Sequence, residues 1–137
     1  LLYGAAAEGR TILVTTHYVE EAERCQTIGF MHRGCFIGSG SPDQCKAEMA
    51  EELLEVDARP VMQAAAIARK LEGVTGVSIY GHTLRVFAKA TTHLRHHLQE
   101  TLGAQGISVK TIRAVSPTLE DVFMSLTRGV PDGEGRR

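Results

Sequence analysis

The chain has 137 residues, a size that suits one globular domain or a truncated domain joined to a smaller one, and 43% of them are hydrophobic. Its 15 basic and 16 acidic side chains leave a formal net charge of −1, which gives no electrostatic reason to expect nucleic acid or an anionic membrane surface as a partner. The three cysteines lack CxxC spacing, which argues against a disulfide framework. No signal peptide is visible, and no apolar run reaches the roughly 18–20 residues that span a bilayer. The sequence therefore predicts a cytoplasmic protein.

The first segment is typical of a helix followed by a buried strand. Residues 1–8 are rich in Ala and end at Gly9, which predicts a helix stopped by a C-terminal glycine. Residues 11–15 form a continuous β-branched and apolar run, which predicts a strand buried on both faces, as in a parallel sheet. Because the chain begins at Leu1 and enters the helix directly, we expect it to be a piece of a larger protein.

Two short helices and a hairpin are predicted next. Thr16 is a candidate cap for a helical pattern that runs to Cys25, among acidic residues that suit a solvated face. The runs 28–31 and 35–38, separated by a Gly-containing turn, predict a β-hairpin. Ser-Pro-Asp-Gln at 41–44 predicts a capped helix through about residue 49, with a domain boundary near 50–52.

The remainder contains an internal repeat. Leu-x-Val-x-Ala occurs at 54–58 and again at 84–88, and each copy is followed by a helical stretch and a further strand. The helices are predicted at 61–72 and about 91–103, and the added strands at 77–80 and 108–114. The resulting order, β-α-β-β-α-β, is that of a ferredoxin-like sandwich.

A last helix is predicted from Ser116-Pro117-Thr118, with an apolar stripe that should dock onto the rest of the chain; the stripe comprises Leu119, Val122, Phe123 and Leu126. Residues 129–137 are polar and rich in Gly, and we expect a loose tail.

His17 is the most informative candidate site residue. It comes directly after the predicted buried strand and before a helix, and side chains at the carboxyl ends of parallel strands lie where ligands bind. An imidazole there can donate a hydrogen bond to a phosphate oxygen and so respond to whether that oxygen is present. The alternative is a histidine that only caps or packs.

Four strings carry a family resemblance, in order and at the family's spacings: EGRTILVTTHYVEEAERC at 8–25, IGFMHRG at 28–34, GSP at 40–42 and SPTLEDVF at 116–123. They resemble the C-terminal part of the ABC ATPases that serve drug and antibiotic exporters. The resemblance implies an α/β fold, with the end of an ATPase core (strand, helix, hairpin) at 1–52, a ferredoxin-like accessory domain with an extra C-terminal helix at 53–128, and the tail at 129–137.

The resemblance also implies a mechanism for the complete protein. His17 would be the switch histidine, which contacts the γ-phosphate of ATP and holds the catalytic carboxylate and the attacking water in place. ATP and Mg²⁺ would be the cofactors, and the partners would be a second ATPase subunit in a homodimer and a transmembrane permease. The protein would lie at the cytoplasmic face of the membrane through that permease.

The 137 residues lack the family's GxxxxGK[ST] phosphate cradle and its LSGGQ-like signature, and no apolar run ending in Asp-Glu precedes residue 1. We therefore expect the fragment alone to be inactive. Gln26 stands where the family usually has Asp, which leaves one helix-end contact open, and Cys45 replaces a larger apolar residue, which suggests looser packing.

Two other groups of residues, the remaining histidines and the cysteines, have simpler interpretations than a functional site. His93 and His97 share an i, i+4 spacing, with His96 and His82 nearby, but two imidazoles without a third ligand make a weak site, so no metal is predicted. The cysteines recur every ten residues and are expected to pack as small hydrophobes. A rival function for the whole chain is a stand-alone ferredoxin-like regulatory or ligand-binding module, which would need neither the Thr-Thr-His string nor the strand before it.

Overall fold

The computed structural model describes residues 2–128, without the side chains of residues 2 and 3. The elements, in chain order, are α1 Leu2–Ala7, α2 Val19–Ala22, β1 Ile28–His32, β2 Cys35–Gly40, α3 Pro42–Ala47, β3 Glu52–Arg59, α4 Val61–Ala68, β4 Val74–Tyr80, β5 Thr83–Ala88, α5 Leu94–Ala104, β6 Ser108–Val115 and α6 Leu119–Arg128. The predicted α/β class is confirmed, and both of its sheets are antiparallel. The predicted tail at 129–137 lies outside the described residues.

The segment after α1 differs from the prediction. Gly9 ends the helix with a φ of +82°, as expected. Residues 11–15, however, form no strand, and Leu13 and Val14 are 94% and 46% exposed, so the predicted buried strand is wrong. A strand needs a neighbour to share its backbone hydrogen bonds, and within residues 2–128 no other strand pairs with this segment.

The hairpin and the capped helix form as predicted. Strands β1 and β2 pair antiparallel, and their turn places Arg33 and Gly34 at φ values of +50° and +77°. Ser41 caps α3 through a complete capping box: its hydroxyl accepts from the Gln44 N–H at 3.2 Å, and its own N–H donates to Oε1 of Gln44 at 3.0 Å. The residues of the turn and of the capping box therefore determine where the hairpin turns and where α3 begins.

The second sheet contains four strands in the order β4-β5-β3-β6. The two copies of the repeat form its centre, since Leu54 faces Val86 and Val56 faces Leu84 across the β3–β5 pair. Helices α4 and α5 cover one side of this sheet. The resulting first core contains Leu54, Val56, Ala58, Ala64, Ala65, Ala68, Leu84, Val86, Ala88, Leu94, Leu98, Leu102, Ile107 and Ile112.

A second, smaller core lies between α6 and the elements that precede the four-stranded sheet. Its buried members are Ile28, Cys45, Leu119 and Val122, and partly buried residues of α2, β1 and α6 pack around them. The expected docking of the last helix is thus confirmed, and its contacts are with α2, α3 and β2. No helix within residues 2–128 is long and apolar enough to cross a membrane.

Candidate functional site

The loop before α2 presents His17 to solvent. Its ring lies 4.2 Å from the Tyr18 ring, centroid to centroid, at an interplanar angle of 35°. Across the described part of the chain, the imidazole makes no hydrogen bond or ion pair, and it belongs to neither core. His17 therefore packs only on the neighbouring Tyr18 ring in this part of the chain, and it is not the N-cap of α2, which is Tyr18.

Thr16 holds this loop in shape. Its hydroxyl oxygen accepts a hydrogen bond from the Tyr18 N–H at 3.0 Å and its O–H donates to Oε2 of Glu21 at 2.6 Å. These two bonds close the turn immediately before α2, which is a common use of threonine at a helix start. The predicted role of Thr16 as the helix cap is wrong, because the N-cap of α2 is Tyr18 and no side chain caps it.

Helix α2 fixes the loop to the second core. Val19 and Ala22 pack on that core, and Nζ of Lys46 in α3 lies 2.7 Å from Oε2 of Glu23, just after α2. The acidic residues in this stretch, expected to be a solvated face, are exposed, yet Glu21 and Glu23 each hold a structural partner. The loop that carries His17 is thus supported from one side only.

A buried charge on α6 was not anticipated from the sequence. Asp121 is 1% exposed, and its Oδ2 accepts from the N–H and the hydroxyl of Thr118, both at 2.9 Å. The same oxygen lies 3.4 Å from a guanidinium nitrogen of Arg85 on β5. The Thr-x-x-Asp spacing of a capping box was the available signal, but nothing in the sequence indicated Arg85 as the partner.

A second charged contact lies at the other end of α6. The Glu51 carboxylate accepts hydrogen bonds from Ser125 at 2.5 Å and Arg128 at 2.9 Å, and one from Thr75. Burial opposes the charge of this carboxylate, but the three hydrogen bonds and the Arg128 charge outweigh it and lower the Glu51 pKa. The Arg128 guanidinium also lies over the Phe87 ring, 4.0 Å from its centroid.

The remaining candidates stay dispersed. His96 pairs with Glu100 at 3.2 Å on the exposed side of α5, and no group of three possible metal ligands is assembled within residues 2–128. Cys35 is exposed and Cys25 half-buried, while Cys45 packs in the second core, where burial raises the pKa of its thiol.

Comparison with known proteins places the chain among transporter components. The profile of the family described as "ATP-binding protein DrrA1-3-like, C-terminal domain" matches residues 40–127. Nod factor export ATP-binding protein I of Bradyrhizobium sp. (strain SNU001) is 32% identical over 123 residues, covering 88% of this chain and 38% of that protein. Daunorubicin resistance ATP-binding protein DrrA3 of Streptomyces coeruleorubidus is 30% identical over 132 residues, covering 94% and 40%.

A shorter match lies with the probable multidrug ABC transporter ATP-binding protein YbhF of Escherichia coli (strain K12), 49% identical over 45 residues, which are 33% of this chain and 8% of that protein. The chain spans about two fifths of the length of the two relatives that it matches over most of its own length.

Proposed function

The chain belongs to the family of DrrA1-3-like ATP-binding protein C-terminal domains and corresponds to the C-terminal region of ABC transporter ATP-binding proteins, and from this we propose that the complete protein couples ATP hydrolysis to export of a substrate. The relatives are named as Nod factor export, daunorubicin resistance and probable multidrug transporter ATP-binding proteins, which supports a drug, an antibiotic or a similar compound as the exported substrate. The substrate would cross the membrane through a permease partner, with the ATPase at the cytoplasmic face.

The observation that carries this proposal is the position of His17. It follows Thr15-Thr16 in a loop that Thr16 and α2 hold in place, and its imidazole is exposed and has no hydrogen-bond or ion-pair partner in the part of the chain described. In the complete protein, this imidazole would contact the γ-phosphate of ATP and orient the attacking water. Bound Mg²⁺ would neutralise phosphate charge, which is the chemistry that the metal supplies in phosphoryl transfer.

The exposed run before His17 supports a larger core. Leu13 and Val14 are apolar yet 94% and 46% exposed, and burying such side chains contributes about 1.5–3 kcal/mol each. We infer that the rest of a complete ATPase core covers Leu13 and Val14, and that two such subunits enclose ATP between them.

The region after residue 52 would be the accessory domain of that subunit, with a ferredoxin-like fold. The order β3-α4-β4-β5-α5-β6 and the strand order β4-β5-β3-β6 support this assignment, because they place both helices on one side of one antiparallel sheet. Under the same proposal, residues 1–52 are the end of the ATPase core and residues 53–128 are the accessory domain.

Replacement of His17 by Ala in the full-length ATPase tests the proposal. Turnover should fall by about 100-fold or more, the usual effect of losing one preorganised electrostatic contact, while ATP binding is retained. His97→Ala, the same substitution at an exposed position of α5, is the matched control and should leave turnover unchanged. A His17→Ala enzyme that keeps wild-type turnover would show that the histidine does not act on the phosphate.

A further inference from the structure

Helix α6 belongs to both halves of the molecule. Its apolar residues Leu119 and Val122 are buried in the second core with β1 and α3, although in sequence the helix follows the four-stranded sheet. Its polar residues contact that sheet: Asp121 lies 3.4 Å from Arg85, and the Arg128 guanidinium lies over the Phe87 ring. The two cores are therefore joined through one helix.

The contact at the centre of this joint is the pair of Asp121 and Arg85. Both side chains are largely buried, at 1% and 14% exposure, and Arg85 also lies 3.3 Å from Glu55 on β3. Arg85 is thus shared between Asp121 and Glu55, and removing one partner of a buried ion pair is costly because the remaining charge is then less well compensated. A surface pair would instead be screened by solvent and contribute little.

The Arg85–Asp121 pair leaves polar atoms of both side chains unsatisfied. Nε of Arg85 and Oδ1 of Asp121 are both buried and have no hydrogen-bond partner within the residues described. The pair is therefore joined by the single 3.4 Å contact, which holds two largely buried side chains together.

The apolar side of α6 packs in the second core together with α2, the helix that follows the His17 loop. Val19 and Ala22 of α2, which directly follow Tyr18, pack on the core that contains Leu119 and Val122. A displacement of α6 therefore changes the support of α2 and, through α2, of the His17 loop.

We propose that Arg85 and Asp121 are positioning residues that fix the four-stranded sheet against α6 and, through α6 and α2, set the position of the His17 loop. The importance of this for ATP hydrolysis rests on the proposed function. The mechanical coupling itself belongs to this chain and is measurable without nucleotide.

Hydrogen exchange of the 137-residue chain, followed by mass spectrometry, tests the coupling. Arg85→Gln should raise the exchange of amides both in 83–88 and in 19–27 by about tenfold, the scale of a hydrogen bond to a charged group. Arg69→Gln, at an exposed position after α4, is the matched control and should change neither segment.

The pattern across variants separates coupling from simple loss of stability. Asp121→Asn should act on the same two segments, and the effect of the double variant should be smaller than the two single effects combined, because both substitutions remove the Arg85–Asp121 contact. If Arg85→Gln unfolds the chain, Arg85→Lys keeps the charge and should raise exchange in both segments about threefold, a smaller effect than the loss of a full charged hydrogen bond. Faster exchange in 83–88 with wild-type exchange in 19–27 would overturn the proposal, as would additive effects of the two single substitutions.

Discussion

Replacement of Leu119 by Ala should weaken the packing of α6 in the second core. Leu119 is fully buried, at 0% exposure, and shares the second core with Ile28, Cys45 and Val122. Replacing a buried leucine by alanine costs about 2–5 kcal/mol, through lost transfer free energy and the cavity that remains. Since domains of this size are stable by only about 5–15 kcal/mol, the loss is a large fraction of the total.

Urea denaturation followed by circular dichroism measures this loss. With a cost of about 3 kcal/mol and a slope of about 2 kcal/mol per M, the midpoint should fall by about 1.5 M. Met124→Ala, on the same helix but 37% exposed, is the control and should shift the midpoint by much less. Equal shifts for the two variants would mean that Leu119 is not buried in solution, and its assignment to the second core would be wrong.

Three further outcomes are expected. Hydrogen exchange should be slow in the paired segments 54–58, 84–88 and 109–114 and fast in 11–15, which lacks a partner strand within the described range; slowest exchange at 11–15 in a monomer would contradict the structure. Because the folded-state pKa of Glu51 is lowered, its stabilisation is present above the unfolded value of about 4.3 and is lost as the pH falls through the folded pKa, so acid should destabilise the wild type more than Glu51→Gln in urea titrations at several pH values. Calorimetry of the 137-residue chain with Mg-ATP should show only heat of dilution, since it contains no GxxxxGK[ST] cradle, and a micromolar Kd would contradict that expectation.

The features predicted correctly from sequence are those with local causes. The Ser41 capping box, the Gly34 turn and the α5 leucines each depend on residues within a few positions of one another. The repeat at 54–58 and 84–88 also predicted two equivalent strands. These two strands, β3 and β5, pair directly and antiparallel, and both copies of the repeat place their Leu and Val side chains in the first core.

The features missed depend on distant partners. The apolar run at 11–15 could form a strand only beside neighbouring strands. Within residues 2–128 no strand pairs with it, so Leu13 and Val14 stay exposed. Similarly, the stripe on α6 predicts that the helix docks but not which core receives it. The role of Asp121 depends on Arg85, 36 residues away in the chain, and spacing alone does not indicate such a contact.

The packing of α6 gives the His17 loop a dependence on parts of the chain that never approach it. The loop is supported by α2, α2 packs with α6, and α6 meets the sheet through Asp121 and Glu51. Substitutions in the four-stranded sheet should therefore alter the loop when they touch Arg85 or Glu51, and should leave it unchanged when they touch the α4 and α5 side.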